Sequence, residues 1–149
     1  MIFRGSRDGW NVYGIHAKID NQGPTITIIK TRKGKIFGGF VSVSWDCYSG
    51  AIADNNSFLF SVDLRVKNPV NLNSSNKPIY CHSMYGPYFG GGSTVFHVPD
   101  EANRNNSSNF DVNEAYRDLP KAANGKCMYV DGDSKFLISE FEVYKVIPN

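Results

Sequence analysis

The chain is 149 residues long, 41% hydrophobic and 20% charged, with a net charge of +2. That is enough chain to bury a core without staples, too balanced a charge to grip nucleic acid, and free of any apolar run near the ~20 residues of a membrane-spanning helix. Cys47, Cys81 and Cys127 are odd in number and widely spaced, and Met1 leads into Arg4, Arg7 and Asp8 with no apolar h-region, so they read as free thiols in a cytoplasmic, reducing compartment.

Residues 2–18 open with a short apolar-basic piece and a turn at Asp8-Gly9. Trp10, Tyr13 and Ile15 or Ala17 then recur at helical spacing and predict one or two helical turns within 11–18. Asp20-Asn21-Gln22-Gly23-Pro24 is a break. Thr25-Ile26-Thr27-Ile28-Ile29-Lys30 alternates and is β-branched almost throughout, which predicts a strand. After a polar turn at 31–35, residues 36–43 return as its hairpin partner, and Gly38-Gly39 inside that strand predicts a bulge or a close backbone approach. The sequence then predicts a loop over 45–56, a strand over 57–62, a turn-rich stretch over 68–77 and a short strand over 78–81. Residues 85–92, aromatic and Gly-rich, predict a shaped loop, and 94–98 a strand. The polar stretch 101–124 predicts a flexible surface segment. Residues 135–138 and 141–146 close the chain with strand character. Long helices are missing, so the pattern is that of one mainly-β unit over 1–149, a two-sheet antiparallel β-sandwich with a few short helices.

No constellation of reactive side chains emerges. Cys81-His82 is the one place where a Cys and a His are adjacent, and on a strand the two point to opposite faces; His16, His97, Cys47 and Cys127 stand alone, so no metal or cofactor is expected. Asp46 beside Cys47 raises rather than lowers a thiol pKa. Gly90-Gly91-Gly92-Ser93-Thr94 and 34–39 match no phosphate-binding motif. Lys30, Arg32, Lys33 and Lys35 read as a solvated hairpin turn, with an acidic partner or a phospholipid headgroup as the alternative. Asp131-Gly132-Asp133 lacks the spaced Glu of a calcium loop. Glu140 and Glu142 share one face of the last strand, a polar outer face. The N-x-S triplets at Asn55, Asn73, Asn105 and Asn106 read as loops and turns.

Six blocks in order resemble the TLDc domain family. Phe3-Arg4-Gly5-Ser6-Arg7-Asp8-Gly9-Trp10 is similar to its S-R-D-G-[FW] opening, and Ile15-His16 with Asp20 to Thr25 to its F-H-x-x-C-D-x-x-G-P-T segment. Lys35 to Phe40 with Ser44-Trp45 is similar to I-F-G-G-[YF]-x-S-x-x-W, and Asp54 with Ser57-Phe58-Leu59-Phe60-Ser61 to D-x-x-A-F-L-F-S. Ile79-Tyr80 with Gly86-Pro87-Tyr88-Phe89-Gly90, and Phe141-Glu142-Val143-Tyr144, match the last two blocks. Ile19 stands where the family has Cys, and the helical segments that usually precede the opening are missing, which leaves an N-terminally short version or a piece of a larger polypeptide.

The resemblance implies a two-sheet β-sandwich, a link to oxidative-stress resistance, and binding or regulation of the vacuolar-type proton-pumping ATPase, without an accepted catalytic mechanism. It marks Ser6, Arg7, Asp8, Gly9, Gly23, Pro24, Gly38, Gly39, Trp45, Gly86, Pro87, Gly90 and Glu142 as structural or interaction residues. Gly38, Gly39, Gly86 and Gly90 are expected to permit turns and bulges, and Trp45, Phe58, Phe60 and Phe89 to fill a core. The function expected is a non-enzymatic interaction module whose partners are proteins. The alternatives are an architectural subunit of a ciliary, cytoskeletal or membrane-associated assembly, and a redox-active protective protein using its thiols.

Overall fold

Alternation of β-branched residues after Pro24 makes a central strand of the larger sheet, from which that sheet is built by pairing outward while the smaller sheet packs on its inner face. The structure, a computed structural model, describes residues 1–92, 95–133 and 135–147. In chain order the elements are β1 (Phe3–Arg4), α1 (Gly5–Asp8), α2 (Val12–Ile19), β2 (Thr25–Thr31), β3 (Ile36–Val41), β4 (Gly50–Ile52), β5 (Phe58–Ser61), β6 (Val66–Pro69), β7 (Ile79–Cys81), β8 (Tyr85–Phe89), β9 (Phe96–Pro99), one 3-10 turn (Met128–Val130) and β10 (Ile138–Lys145). The strands form two antiparallel sheets, β1-β10-β2-β3-β5-β6 and β4-β7-β8-β9, stacked as a sandwich.

The inner faces meet through rings. Phe37 of β3 sits edge-on to Phe96 of β9 at 5.1 Å, and Trp45 edge-on to Phe89 at 5.5 Å. Phe3, Ile15, Ile29, Leu59, Phe110 and Phe141 complete a fully buried centre. Helix α2 lays Val12, Ile15 and Ile19 against that core, and Asn11 caps its start by accepting from the Tyr13 N–H at 2.8 Å.

Several expectations are corrected. Phe58 and Phe60 are not core residues: on β5 the inward positions are Leu59 and Ser61, and the two Phe rings lie half-buried on the outer face. Residues 85–89 form a strand rather than a loop, because Gly86-Pro87 occupies a register irregularity between Tyr85 and Tyr88 where a missing N–H is tolerated. Residues 50–52, inside the expected loop, pair with β7, and Val66–Pro69 pairs with β5. The stretch 101–124 is irregular but packed, with Ala102, Phe110, Ala115, Tyr116 and Leu119 buried. The two closing strands are one, β10, which shifts register between Ile138 and Glu140. Of the expected strand 94–98, Thr94 lies outside the described residues, as does Ser93 of the Gly-rich stretch.

Candidate functional site

Ser6, Arg7, Asp8 and Glu142, from opposite ends of the chain, meet at one corner. The pairing of β1 with β10 sets Arg4 opposite Glu142, on the outer face of the larger sheet. Arg4 Nε and Nη2 donate to Glu142 Oε2 at 2.9 and 2.5 Å, and the Tyr144 hydroxyl donates to Oε1 at 3.1 Å. Hydrogen bonding from Arg4 holds the Glu142 carboxyl below the usual carboxylate range, and Arg4 is raised in turn. One residue pair further along the strand, Glu140 accepts from the Ser6 N–H at 3.0 Å and from the Ser6 hydroxyl.

Asp8 is the hub of the first turn. It accepts from Arg7 Nε and Nη2 at 2.9 and 2.7 Å, from Lys18 Nζ at 2.9 Å and from the Arg4 N–H at 2.9 Å. Those donors, Arg7 first, hold its carboxyl far below the ordinary range. The Arg7 and Lys18 side chains remain about half exposed, so the corner shows solvent a fixed arrangement of charge. Gly9 leaves the turn at φ 103°, a conformation open to glycine.

The remaining motif residues are placed apart from this corner. The Gly23 N–H donates to Ser44 Oγ at 2.8 Å, the Pro24 carbonyl accepts from Val146 N at 2.9 Å, and Trp45 Nε1 donates to Thr25 Oγ1 at 3.1 Å. Together these lock the chain leaving α2 onto the larger sheet. Gly38 and Gly39 keep an unbroken register with β2, so there is no bulge there. A Cβ on Gly39 would lie 2.4 Å from the Phe89 ring, and one on Gly38 1.8 Å from the Thr27 carbonyl oxygen. Gly86 packs against Val98, Pro87 is buried, and the Gly90 N–H donates to the Pro78 carbonyl at 2.6 Å with φ 120°.

His16 was legible only as part of a motif. Its Nδ1 lies 2.8 Å from Asp20 Oδ1, and its Nε2 2.7 and 3.1 Å from the carbonyls of Tyr85 and His82, which clasps α2 to the β7–β8 turn. Sequence alone does not mark Arg4, Lys18, Glu140 and Tyr144 as corner residues. The same-face alternation of Glu140, Glu142 and Tyr144 carried their signal; nothing local carried that of Lys18.

The other sequence candidates resolve differently. Cys47 is exposed, whereas Cys81 and Cys127 are buried, and burial pushes their thiols up to about 11 and about 12. The basic hairpin turn is tied down rather than free: Lys33 pairs with Asp133 at 2.9 Å, Lys35 with Asp131 at 3.2 Å, and Arg32 donates to the Asn103 carbonyl at 3.0 Å. Among the described residues no three His, Cys, Asp or Glu side chains gather as a metal would need, and no helix is long and apolar enough to cross a membrane.

Parts of the chain are similar to known proteins. The MTOR-associated protein MEAK7 of Mus musculus is 30% identical over 80 residues, covering 54% of this chain and 18% of that protein. Its namesake from Gallus gallus is 40% identical over 62 residues, covering 42% and 13%, and that from Danio rerio 37% over 62, covering 42% and 14%. The matched stretch is thus less than a fifth of the length of these relatives. The TLDc domain family matches residues 1–147, which brings the corner, the locked loop and both sheets within one match. The chain belongs to the TLDc domain family.

Proposed function

We propose that the chain is a regulatory protein-interaction module, without catalytic chemistry of its own, that docks on a larger cytoplasmic assembly. The observation that carries this reading is the corner: Ser6, Asp8 and Glu142 commit their polar groups to fixed partners and leave Arg7 and Lys18 displayed to solvent. A rigid, exposed charge pattern suits recognition of a protein surface. Family membership puts the vacuolar-type proton-pumping ATPase first among assemblies, with protection against oxidants as the associated role. The name of the relatives puts an MTOR-containing assembly second.

The test is capture of each purified assembly by the tagged chain. Saturable retention of the pump, weakened when Arg7 and Lys18 are both replaced by Ala, supports the reading; retention of neither assembly by a folded chain contradicts it. An architectural role is the second reading, favoured by the half-buried apolar rings on the outer face of β5. A chain that stays monomeric and soluble at high concentration counts against permanent burial in a complex.

A further inference from the structure

The outer face of the larger sheet breaks the usual alternation of core-facing apolar and solvent-facing polar residues. Register places its side chains in rows. One row runs Tyr144, Ile26, Phe40, Phe58, Pro69; the next runs Arg4, Glu142, Ile28, Gly38, Phe60, Lys67; the third runs Glu140, Lys30, Ile36. Across β2, β3 and β5 these rows form one apolar band, with Phe40 stacked on Phe58 at 5.2 Å and Phe58 against Phe60 at 6.5 Å. Val62, beside Ile36, is 53% exposed and extends it. Its rings are half-buried, and the Lys67 side chain reaches over Phe58 at one border.

We infer that this band is a docking site for an amphipathic helix of a partner protein, with an apolar stripe flanked on both sides by carboxylates. The inference rests on the reading of the chain as an interaction module and names where and how a partner sits. Width selects the helix. The band spans two inter-strand gaps, about 9–10 Å, which fits one helix of about 10 Å diameter. A second sheet would need more strands, and β10 and β6 on either side carry Glu140, Glu142 and Lys67 instead. From the Phe40 row to the Ile36 row the band runs about 13 Å, the rise of about nine helical residues.

Charge selects the flanks. Arg4 and Tyr144 already engage Glu142, and Ser6 engages Glu140. Lys30 and Lys67, on opposite borders of the band, form no ion pair among the described residues; Lys67 lies over the Phe58 ring at 4.1 Å. A helix settling between them meets Lys67 on one side and, on the other, Lys30, which faces Glu140 across the β10–β2 ladder without forming an ion pair to it.

The test uses two fluorescein-labelled peptides of about 18 residues, long enough to hold helical structure. Both carry one leucine stripe; one has Glu on both flanks and the other Lys at the same positions. Titrated with the chain, the Glu peptide should bind saturably and about tenfold or more tighter than the Lys peptide. Phe60→Glu should abolish binding. The Lys30→Glu/Lys67→Glu pair leaves the apolar band intact and should reverse the order of the two peptides, so it decides the matter even where Phe60→Glu perturbs folding. Equal binding of both peptides, no binding, or a stable dimer that excludes peptide overturns the site. Lost peptide binding with the pump still captured overturns this site alone; retained peptide binding with no assembly captured overturns the module reading instead.

Discussion

Gly38 and Gly39 stand side by side in β3 and are required for different reasons. Gly39 makes room for the Phe89 ring of the facing sheet, whereas Gly38 faces the Thr27 carbonyl of its own sheet, backbone that cannot step aside. Each Gly→Ala change should lower stability by about 1–3 kcal/mol or more, Gly38→Ala the more severely, measured by chemical denaturation. Gly14, in the exposed face of α2 with nothing near its Cβ position, predicts the opposite: Gly14→Ala should stabilise by about 0.5–1 kcal/mol. Thiol reactivity divides in the same way. Cys47 should react with iodoacetamide in the native chain, and Cys81 and Cys127 only on unfolding, because burial keeps their thiols protonated.

His97, 7% exposed and stacked on Tyr88 at 4.8 Å, has its imidazole pushed down to about 4 by burial. The unfolded chain takes up this proton near pH 6.5 and the folded chain near pH 4, so stability is full above pH 6.5 and declines as pH falls between the two. The loss should reach about 3 kcal/mol by pH 4, and His97→Phe should flatten that part of the stability–pH curve.

At the scale of elements, short segments owe their form to their partners. β2 and β3 were legible because each combines β-branched or aromatic residues with a polar turn between them. β4 and β6 were not: Gly50–Ile52 and Val66–Pro69 are too short or polar to signal a strand, and they extend because β7 and β5 offer ladders to them. The Gly and Pro of β8 signal a loop in sequence, yet they are the residues that its irregular pairing accommodates. Phe58 and Phe60 misled because family motif and hydrophobicity name a residue's type, while the parity of a four-residue strand decides its face. The β3–β5 connection hangs on Asp54, which is buried and accepts from the Ser42 N–H at 2.6 Å, the Ser42 hydroxyl at 2.5 Å and the Asn56 N–H at 3.1 Å. Asp54→Ala leaves those donors unpaired and should cost about 2–3 kcal/mol in a denaturation experiment. The corner on β10 gives a second pH signature. Glu142 and Asp8 are depressed in the fold, so their contribution is present above the ordinary carboxylate range and is lost as pH falls from that range towards their lowered folded values, starting at the acid end of the His97 window.

Across the whole molecule, two surfaces differ from an ordinary solvated exterior: the charged corner at α1 and the apolar band beside it. The band lies on the outer face of the six-stranded sheet and the corner adjoins it, with Arg4, Glu140, Glu142 and Tyr144 at their border. The corner's residue types were readable as a motif; their convergence was not, since Ser6 and Glu140 lie 134 positions apart and meet only through the pairing of the chain's two ends. The band was invisible in sequence because its rows each cross three or more strands drawn from distant parts of the chain. The most direct measurement is a binding isotherm of the chain with purified vacuolar-type proton-pumping ATPase, beside the Arg7→Ala/Lys18→Ala variant. A saturable isotherm for the native chain, weakened about tenfold in the variant, is the result predicted. A flat response from a folded native chain, or identical isotherms for both, would contradict it.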